Sequence, residues 1–466
     1  MHTLVKATAL IVASVLLSAQ GPAPLRTMRV DYFHTGGTSP EVFALDEVAL
    51  EPAAWPGPAG PTEDTLRYGA YGFDVRDAAS KRLLYSAGFG SIFDEWVTTE
   101  EAKTMSRTFH ESVRFPEPGS PVTLSIRKRG TANTWQDVWT TTVNPKDMFV
   151  DTAPPEPHPG PVITLQRNGD PAHKVDVLLI GDGYTAAERG KFEADARRLM
   201  EILFATSPFK ERRTDFNVWG LAPAARESGV SRPSQGIHRA SPVAATYDAF
   251  GSERYVLTFD NKAFRRVASY APYDVVEIVT NTRTYGGGGI YNLYSTVAAD
   301  NAFSPYVFVH EFAHHFAALA DEYYTSPVAY LPSETREEPW EANITATPAS
   351  PKWKDLVEAG TPLPTPWQKQ DYETRSRAAQ AKRAEIRKQN RPESDMEALF
   401  QEERQMDQRQ FPAEKFFGKV GAFEGARYEA QGFYRPEVDC IMFTRSEQFC
   451  AVCRRALARV IDTYVK

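Results

Sequence analysis

The chain has 466 residues, a formal net charge of −7, 42% hydrophobic residues and 12% aromatic residues. That length provides for two domains with sizeable cores, and the composition is that of an ordinary globular protein. The acidic balance excludes a general nucleic-acid binder, which would carry a basic excess.

From the N-terminus, Met1–Gly21 reads as an export signal. Lys6 supplies the positive charge, Ala7–Ala19 is a 13-residue apolar run, and Ala19-Gln20-Gly21 offers small residues for cleavage. The run is too short to span a bilayer comfortably, a short anchor being the alternative. No other stretch looks transmembrane. The mature chain is therefore expected to be extracytoplasmic, secreted or periplasmic, without stable membrane insertion.

Residues 25–150 form the first unit. Thr27–Phe33, Gly72–Arg76, Val122–Arg127 and Asp137–Val143 alternate like half-buried strands, with Gly, Pro and Asp between them. This predicts an accessory antiparallel β-sandwich. His34 and His110 read as ordinary surface or core histidines. Residues 151–161 contain five prolines, which favours an extended connector and a domain boundary.

Residues 162–466 form the second domain. Val175–Ile180 is a strand followed by Gly181-Asp182-Gly183 and a helix over Ala186–Thr206, with Phe192, Ala196, Leu199 and Leu203 on one face. The turn lacks a full phosphate-binding pattern and reads as a tight strand–helix connection. Phe216–Leu221 and Val275–Thr280 are further buried strands, so the arrangement is α/β. Gly286–Gly289 is either a plain loop or a backbone able to approach a substrate strand along a sheet edge.

The most informative stretch is Val309–Tyr323, which contains H-E-x-x-H. On a helix, His310 and His314 share one face a turn apart. Two imidazoles so placed bind Zn²⁺ at roughly 2.0–2.1 Å each, leaving room for another ligand and a water. Glu311 beside them is placed to take a proton from that water. Phe312, Phe316 and Leu319 make the helix apolar and buried, and buried His and Glu need partners that a metal supplies. Asp321 is the candidate third ligand and Glu322 its neighbouring alternative. On an unbroken helix Asp321 would lie roughly 16 Å from His310. It can bind only if the helix stops near Ala317–Ala320 and the chain doubles back, where no glycine eases an αL stop.

Downstream, residues 369–415 are rich in charged residues and read as one or two solvated helices broken near Asn390-Arg391-Pro392, a charged insertion loosely packed on the surface. Asn343-Ile344-Thr345 fits a glycosylation acceptor. All three cysteines, Cys440, Cys450 and Cys453, fall within 14 residues. Three thiolates without a nearby His make an incomplete metal site. In an exported chain a disulfide is the more natural reading, with Cys440–Cys450 preferred, Cys450–Cys453 open and one thiol left free. A last amphipathic helix spans about Cys450–Val465.

H-E-F-A-H-H-F-A-A-L-A-D-E-Y, followed by F-E-G-A-R-Y, G-F-Y-R-P, C-I-M and F-C-A-V-C, resembles the bacterial IgA-peptidase family of zinc metallopeptidases. The likeness covers residues 165–465, and the first unit is similar to that family's accessory domain. The resemblance implies a metzincin-like α+β catalytic domain with one catalytic Zn²⁺. Its ligands would be His310, His314 and Asp321, its general base Glu311 and its turn methionine Met442. The substrate would be a protein or peptide, and Tyr434 is a candidate donor to the developing oxyanion. Metzincins place the third ligand six residues after the second His, where this chain has Ala320, so Asp321 requires a longer bend. The competing expectation is a non-enzymatic extracytoplasmic binding protein with a structural or vestigial zinc site.

Overall fold

A computed structural model describes residues 25–58, 60, 62–332 and 336–465; the expected export signal lies outside them. Among the described residues no helix is long and apolar enough to cross a membrane.

The N-terminal domain contains β1 (Arg26–Gly37), β2 (Val42–Ala54), β3 (Tyr71–Asp77), β4 (Leu83–Phe89), α1 (Ile92–Val97), β5 (Ser106–Pro116), β6 (Val122–Arg129) and β7 (Trp135–Val143). They pair antiparallel in two sheets, ordered β2-β1-β5 and β4-β3-β6-β7. Alternate side chains from both sheets, among them Val30, Tyr32, Phe73, Leu124 and Ile126, share one core. The strands without a sequence signal are β2, β4 and β5. In β2 the first residues are largely exposed, so its alternation is blurred where it runs along a sheet edge.

The α/β domain is built on a six-stranded mixed sheet. Its strands are β8 (Ile163–Gln166), β9 (Val175–Asp182), β10 (Phe216–Leu221), β13 (Val275–Thr280), β14 (Gly287–Ile290) and β15 (Tyr294–Ala298); the short pair β11 (Ala245–Thr246) and β12 (Leu257–Thr258) lies apart. The order is β14-β15-β13-β9-β10-β8, parallel through the middle and antiparallel at both edges. Every residue of β9 is buried, which explains the apolar run Val177–Ile180; buried Asp176 accepts from Asn217 and Trp219. Val175, Val177 and Leu179 enter one core with α2 (Arg189–Ala205) and α4 (Ser304–Ala317). Leu178 and Ile180 enter a second core with α3 (Asn261–Ala268) and with Phe93, Trp96 and Phe109 of the N-terminal domain. The first domain therefore covers the far face of this sheet.

Polar contacts fix that docking. Arg114 stacks 3.5 Å over the Tyr273 ring, donates to the Tyr273 carbonyl and pairs at 2.8 Å with Glu51, whose side chain is 0% exposed. Asn261 Nδ2 donates to Ser112 Oγ at 2.7 Å.

The insertion differs from its charged appearance. α5 (Lys369–Lys388) and α6 (Glu393–Gln410) form a hairpin broken just before Pro392, as expected. Yet Tyr372, Ala379, Ile386, Met396, Leu399 and Phe400 sink into the main core. Phe400 meets Phe303 edge-on with ring centroids 5.5 Å apart, and the Arg445 guanidinium lies 3.6 Å from the Phe400 ring centre. The loosely packed reading is thus corrected: a thin apolar stripe suffices when most of each helix faces water. The chain ends with the hairpin β16 (Phe423–Ala426) and β17 (Glu429–Arg435) and with α7 (Ala451–Tyr464), which packs into the same core as α4.

Arg114→Ala should lower unfolding stability by about 2–4 kcal/mol, because it strands the buried Glu51 carboxylate with only Arg29 nearby. Chemical denaturation measures this; a change below about 0.5 kcal/mol would show that the docking does not depend on that ion pair.

Candidate active site

α4 opens with Pro305 in its first turn, where a missing N–H costs nothing. Phe312 packs edge-on against Phe209 with ring centroids 5.3 Å apart. His310, Glu311 and His314 instead line a cleft of about 660 Å³. The third histidine, His315, has a structural role. Its Nδ1 donates to the Ile290 carbonyl at 3.0 Å and its Nε2 accepts from Val276 N–H at 3.0 Å. Burial holds it neutral, with its pKa pushed down to about 3.

The helix stops at Ala317. Ala318 adopts the left-handed conformation at φ 51°, ψ 34°, and its N–H returns to the His314 carbonyl at 3.0 Å. A glycine would take this turn freely; alanine takes it at a cost of about 1 kcal/mol. Hydrogen bonds hold the returning segment. Asn343 accepts from Ala320 N–H and donates to the Ala320 carbonyl, both at 2.9 Å. Glu322 N–H donates to Met442 O at 2.8 Å, and Arg427 N–H donates to Asp321 O at 3.0 Å. Asn343 is completely buried, so its reading as a glycan acceptor is corrected: it is a clamp.

The doubled-back chain brings Asp321 to the imidazoles. Asp321 Oδ1 lies 3.0 Å from His310 Nε2 and 3.2 Å from His314 Nε2, and the two Nε2 atoms are 3.1 Å apart. His310 Nδ1 faces the Ile441 carbonyl at 2.9 Å, and His314 Nδ1 faces the Leu319 carbonyl at 2.5 Å. Carbonyls only accept, so both protons sit on Nδ1 and both Nε2 lone pairs point inward. Three electron pairs converging at about 3 Å repel unless a cation lies among them. Metal–ligand bonds of roughly 2.0–2.1 Å in a tetrahedron place ligand atoms about 3.3 Å apart, close to what these three show. The donor set fits a divalent cation. Without one, burial disfavours charge on His314, but the Asp321 carboxylate outweighs it and pushes the imidazole up to about 9.

Glu311 stands beside this group, and burial raises its carboxyl while the two imidazoles oppose the rise. Glu322, the alternative ligand, points away and is fully buried near the cysteines. Residues 440–444 form the turn beneath His310, closed by the Phe443 and Thr444 N–H groups on Cys440 O, with the Met442 side chain buried. The expected Cys440–Cys450 disulfide is not formed; all three cysteines are free.

Tyr434 lies on β17. It is not among the cleft-lining residues, and its hydroxyl meets Glu424 on the neighbouring strand. The cleft presents Tyr428 and Tyr323 instead. Tyr428 donates to Asp321 Oδ2 at 2.6 Å, orienting the carboxylate. Tyr323 accepts from Arg254 Nη2 at 3.1 Å, which leaves its own O–H free to donate. Neither tyrosine carries a signal in isolation, since only the bend after α4 and the β16–β17 turn aim them at one point.

The glycine run forms the edge strand β14. Most of its freedom is used in packing against α4: a Cβ on Gly289 would sit 2.4 Å from Glu311 O and 3.0 Å from His314 Cβ. Gly287 N–H and C=O are already paired with Arg254 O and Val256 N–H, which shortens the edge open to a substrate strand. Gly69, Ala70, Gly90, Asp94 and Glu95 of the N-terminal domain complete one end of the cleft. Tyr255 and Tyr330 both donate to Glu95, tying that domain to the cleft walls.

Residues 163–461 match the family described as IgA Peptidase M64, and residues 23–140 match its N-terminal domain, Peptidase M64 N-terminus. No curated protein matches the chain.

Gly289→Ala should push α4 off its strand, lowering stability by about 1–3 kcal/mol, with a matching loss of divalent-metal affinity in calorimetry. Ala318→Gly should change stability by less than about 1 kcal/mol, because relief of the left-handed alanine is offset by the lost buried methyl and a freer unfolded chain. Ala318→Val, β-branched at positive φ, should cost more than either; wild-type stability for Val would contradict the bend described here.

Proposed function

Since the chain belongs to the IgA peptidase M64 family, a family of peptidases, we propose that it is an exported zinc-dependent endopeptidase. The observation carrying this reading is the convergence of His310 Nε2, His314 Nε2 and Asp321 Oδ1 within 3.2 Å of one another beside Glu311, in a cleft of about 660 Å³. His310, His314 and Asp321 would hold the ion. When bound, it would polarise the scissile carbonyl and acidify a water.

The protein's own groups carry the remaining work. The Ile441 and Leu319 carbonyls keep the imidazole lone pairs inward, and Tyr428 keeps Asp321 turned toward them. Glu311 takes a proton from the attacking water and delivers it to the leaving amine, the one direction in which a carboxylate beside the scissile bond serves both halves of the reaction. Tyr323, with its oxygen held by Arg254, donates to the developing oxyanion, the role the sequence assigned to Tyr434. The apolar run at Ala7–Ala19 supports export by this chain. The domain division is read as an accessory β domain over 25–150, a linker over 151–161 and the catalytic domain over 162–466.

Glu311→Gln should retain zinc and lower casein hydrolysis by about 10²–10⁴-fold. Tyr323→Phe should lower kcat by about 10²-fold with KM little changed, whereas Tyr434→Phe should leave both near wild type. Metal analysis with chelator-treated and zinc-restored digests checks all three. Cleavage that survives Glu311→Gln or complete removal of metal would exclude this mechanism.

A further inference from the structure

A second cluster of metal-ligating residues lies behind the cleft and takes no part in the reaction proposed above. Glu322, Cys440, Cys450 and Cys453 each offer one ligand atom, and those atoms all lie within 4.8 Å of one another. They come from three parts of the chain: the returning strand after α4, the turn beneath His310, and the start of α7. None of the four lines the cleft, and none is more than 2% exposed.

We propose that these four residues hold a second, structural divalent ion of the zinc class. Cys440 Sγ lies 3.8 Å from Cys453 Sγ, and Cys453 Sγ lies 3.4 Å from Glu322 Oε1. A disulfide requires about 2.05 Å between sulfurs. Metal–sulfur bonds of about 2.3 Å and a metal–oxygen bond of about 2.0 Å, at tetrahedral angles, require about 3.8 Å between sulfurs and about 3.5 Å from sulfur to oxygen. The Cys440–Cys453 and Cys453–Glu322 pairs have the second spacing, and Cys450 Sγ lies within 4.8 Å of the other three ligand atoms.

An independent observation points the same way. Glu322 Oε1 accepts from Asn343 Nδ2 at 3.0 Å, but Oε2 is buried with no hydrogen-bond partner. A completely buried carboxylate with a bare oxygen among three sulfurs is costly unless a cation joins them. A disulfide would not remove that cost: it would use two sulfurs and leave the third thiol and the carboxylate as they are. Backbone amides already point at the sulfurs. Cys450 N–H donates to Cys440 Sγ at 3.3 Å, and Cys453 N–H donates to Cys450 Sγ at 3.4 Å, easing negative charge on them. Four buried protein ligands, none of them lining the cleft, make a closed, structural site.

The position gives the ion a purpose. Glu322 directly follows Asp321, and Cys440 directly precedes Ile441, whose carbonyl orients His310. One buried ion would pin together the two segments that aim the first site. The cysteine triplet, incomplete in the sequence, finds its fourth ligand 131 residues upstream of Cys453.

The test uses the full chain purified under reducing conditions and then freed of reductant. Two zinc ions per chain are expected, one of which persists in His310→Ala/His314→Ala, together with three titratable thiols after denaturation in chelator. Cobalt(II) in place of zinc should give the intense thiolate-to-cobalt charge-transfer band. Cys450→Ser should lose that band and one ion; if that variant does not fold, the wild-type band and thiol count decide alone. A chain two daltons lighter with one remaining thiol, or reduced protein that binds cobalt without the band, would overturn the proposal. If the His310→Ala/His314→Ala chain held as much zinc as wild type, the catalytic reading would fail while this one stood.

Discussion

The contact on which the site depends is Asp321 Oδ1 against the two Nε2 atoms of His310 and His314. It unites residues 11 positions apart that an unbroken helix would separate by roughly 16 Å. Everything near it serves that reversal. Ala318 accepts a strained backbone, Asn343 clamps Ala320 on both sides, and two carbonyls lock the imidazole tautomers. Protonated imidazoles would hold an aspartate so enclosed well below its ordinary pKa, more than offsetting its burial.

The cost of such a bend is met by tertiary packing rather than by local preference. The helix is pressed onto an edge strand whose glycines let the backbones approach, and its apolar side is fixed by Phe209, Phe312 and Phe316. The N-terminal domain is part of the same arrangement. Its Phe93, Trp96 and Phe109 share a core with the central sheet, while Glu95 receives hydroxyls from both sides of the cleft. Both faces of the sheet are thus packed, one of them in part by the first domain, which also supplies one end of the cleft.

Legibility followed the range of the interactions. β9, β10 and β13 are readable because each is buried on both faces and so is mostly apolar, with only an occasional buried polar residue such as Asp176, Asn217 or Glu277. β2 and β5 were not, since partial exposure breaks their alternation. α5 and α6 were placed correctly along the chain, but their burial was hidden by the many charged residues on their outer faces. At the site, Asp321 was found by asking which nearby carboxylate could return to the histidines. That Tyr428 and Tyr323 face the cleft is not legible in the sequence, because hydroxyl direction depends on the β16–β17 turn, which no local pattern encodes. The cysteines were paired with one another for a similar reason: Glu322 is remote in sequence, and only folding brings it among them.

By itself the sequence determined the two-part layout, the buried strands of the second domain, the helix carrying His310, Glu311 and His314, and the need for a reversal after it. These depend on periodicity and short spacing, which act between residues a few positions apart. The tertiary structure alone decided which carboxylate faces the imidazoles, which tyrosines line the cleft, that Asn343 is a clamp, and that Glu322 sits among the thiols. Each of those depends on contacts between distant segments, whose geometry is set by the packing of the whole chain.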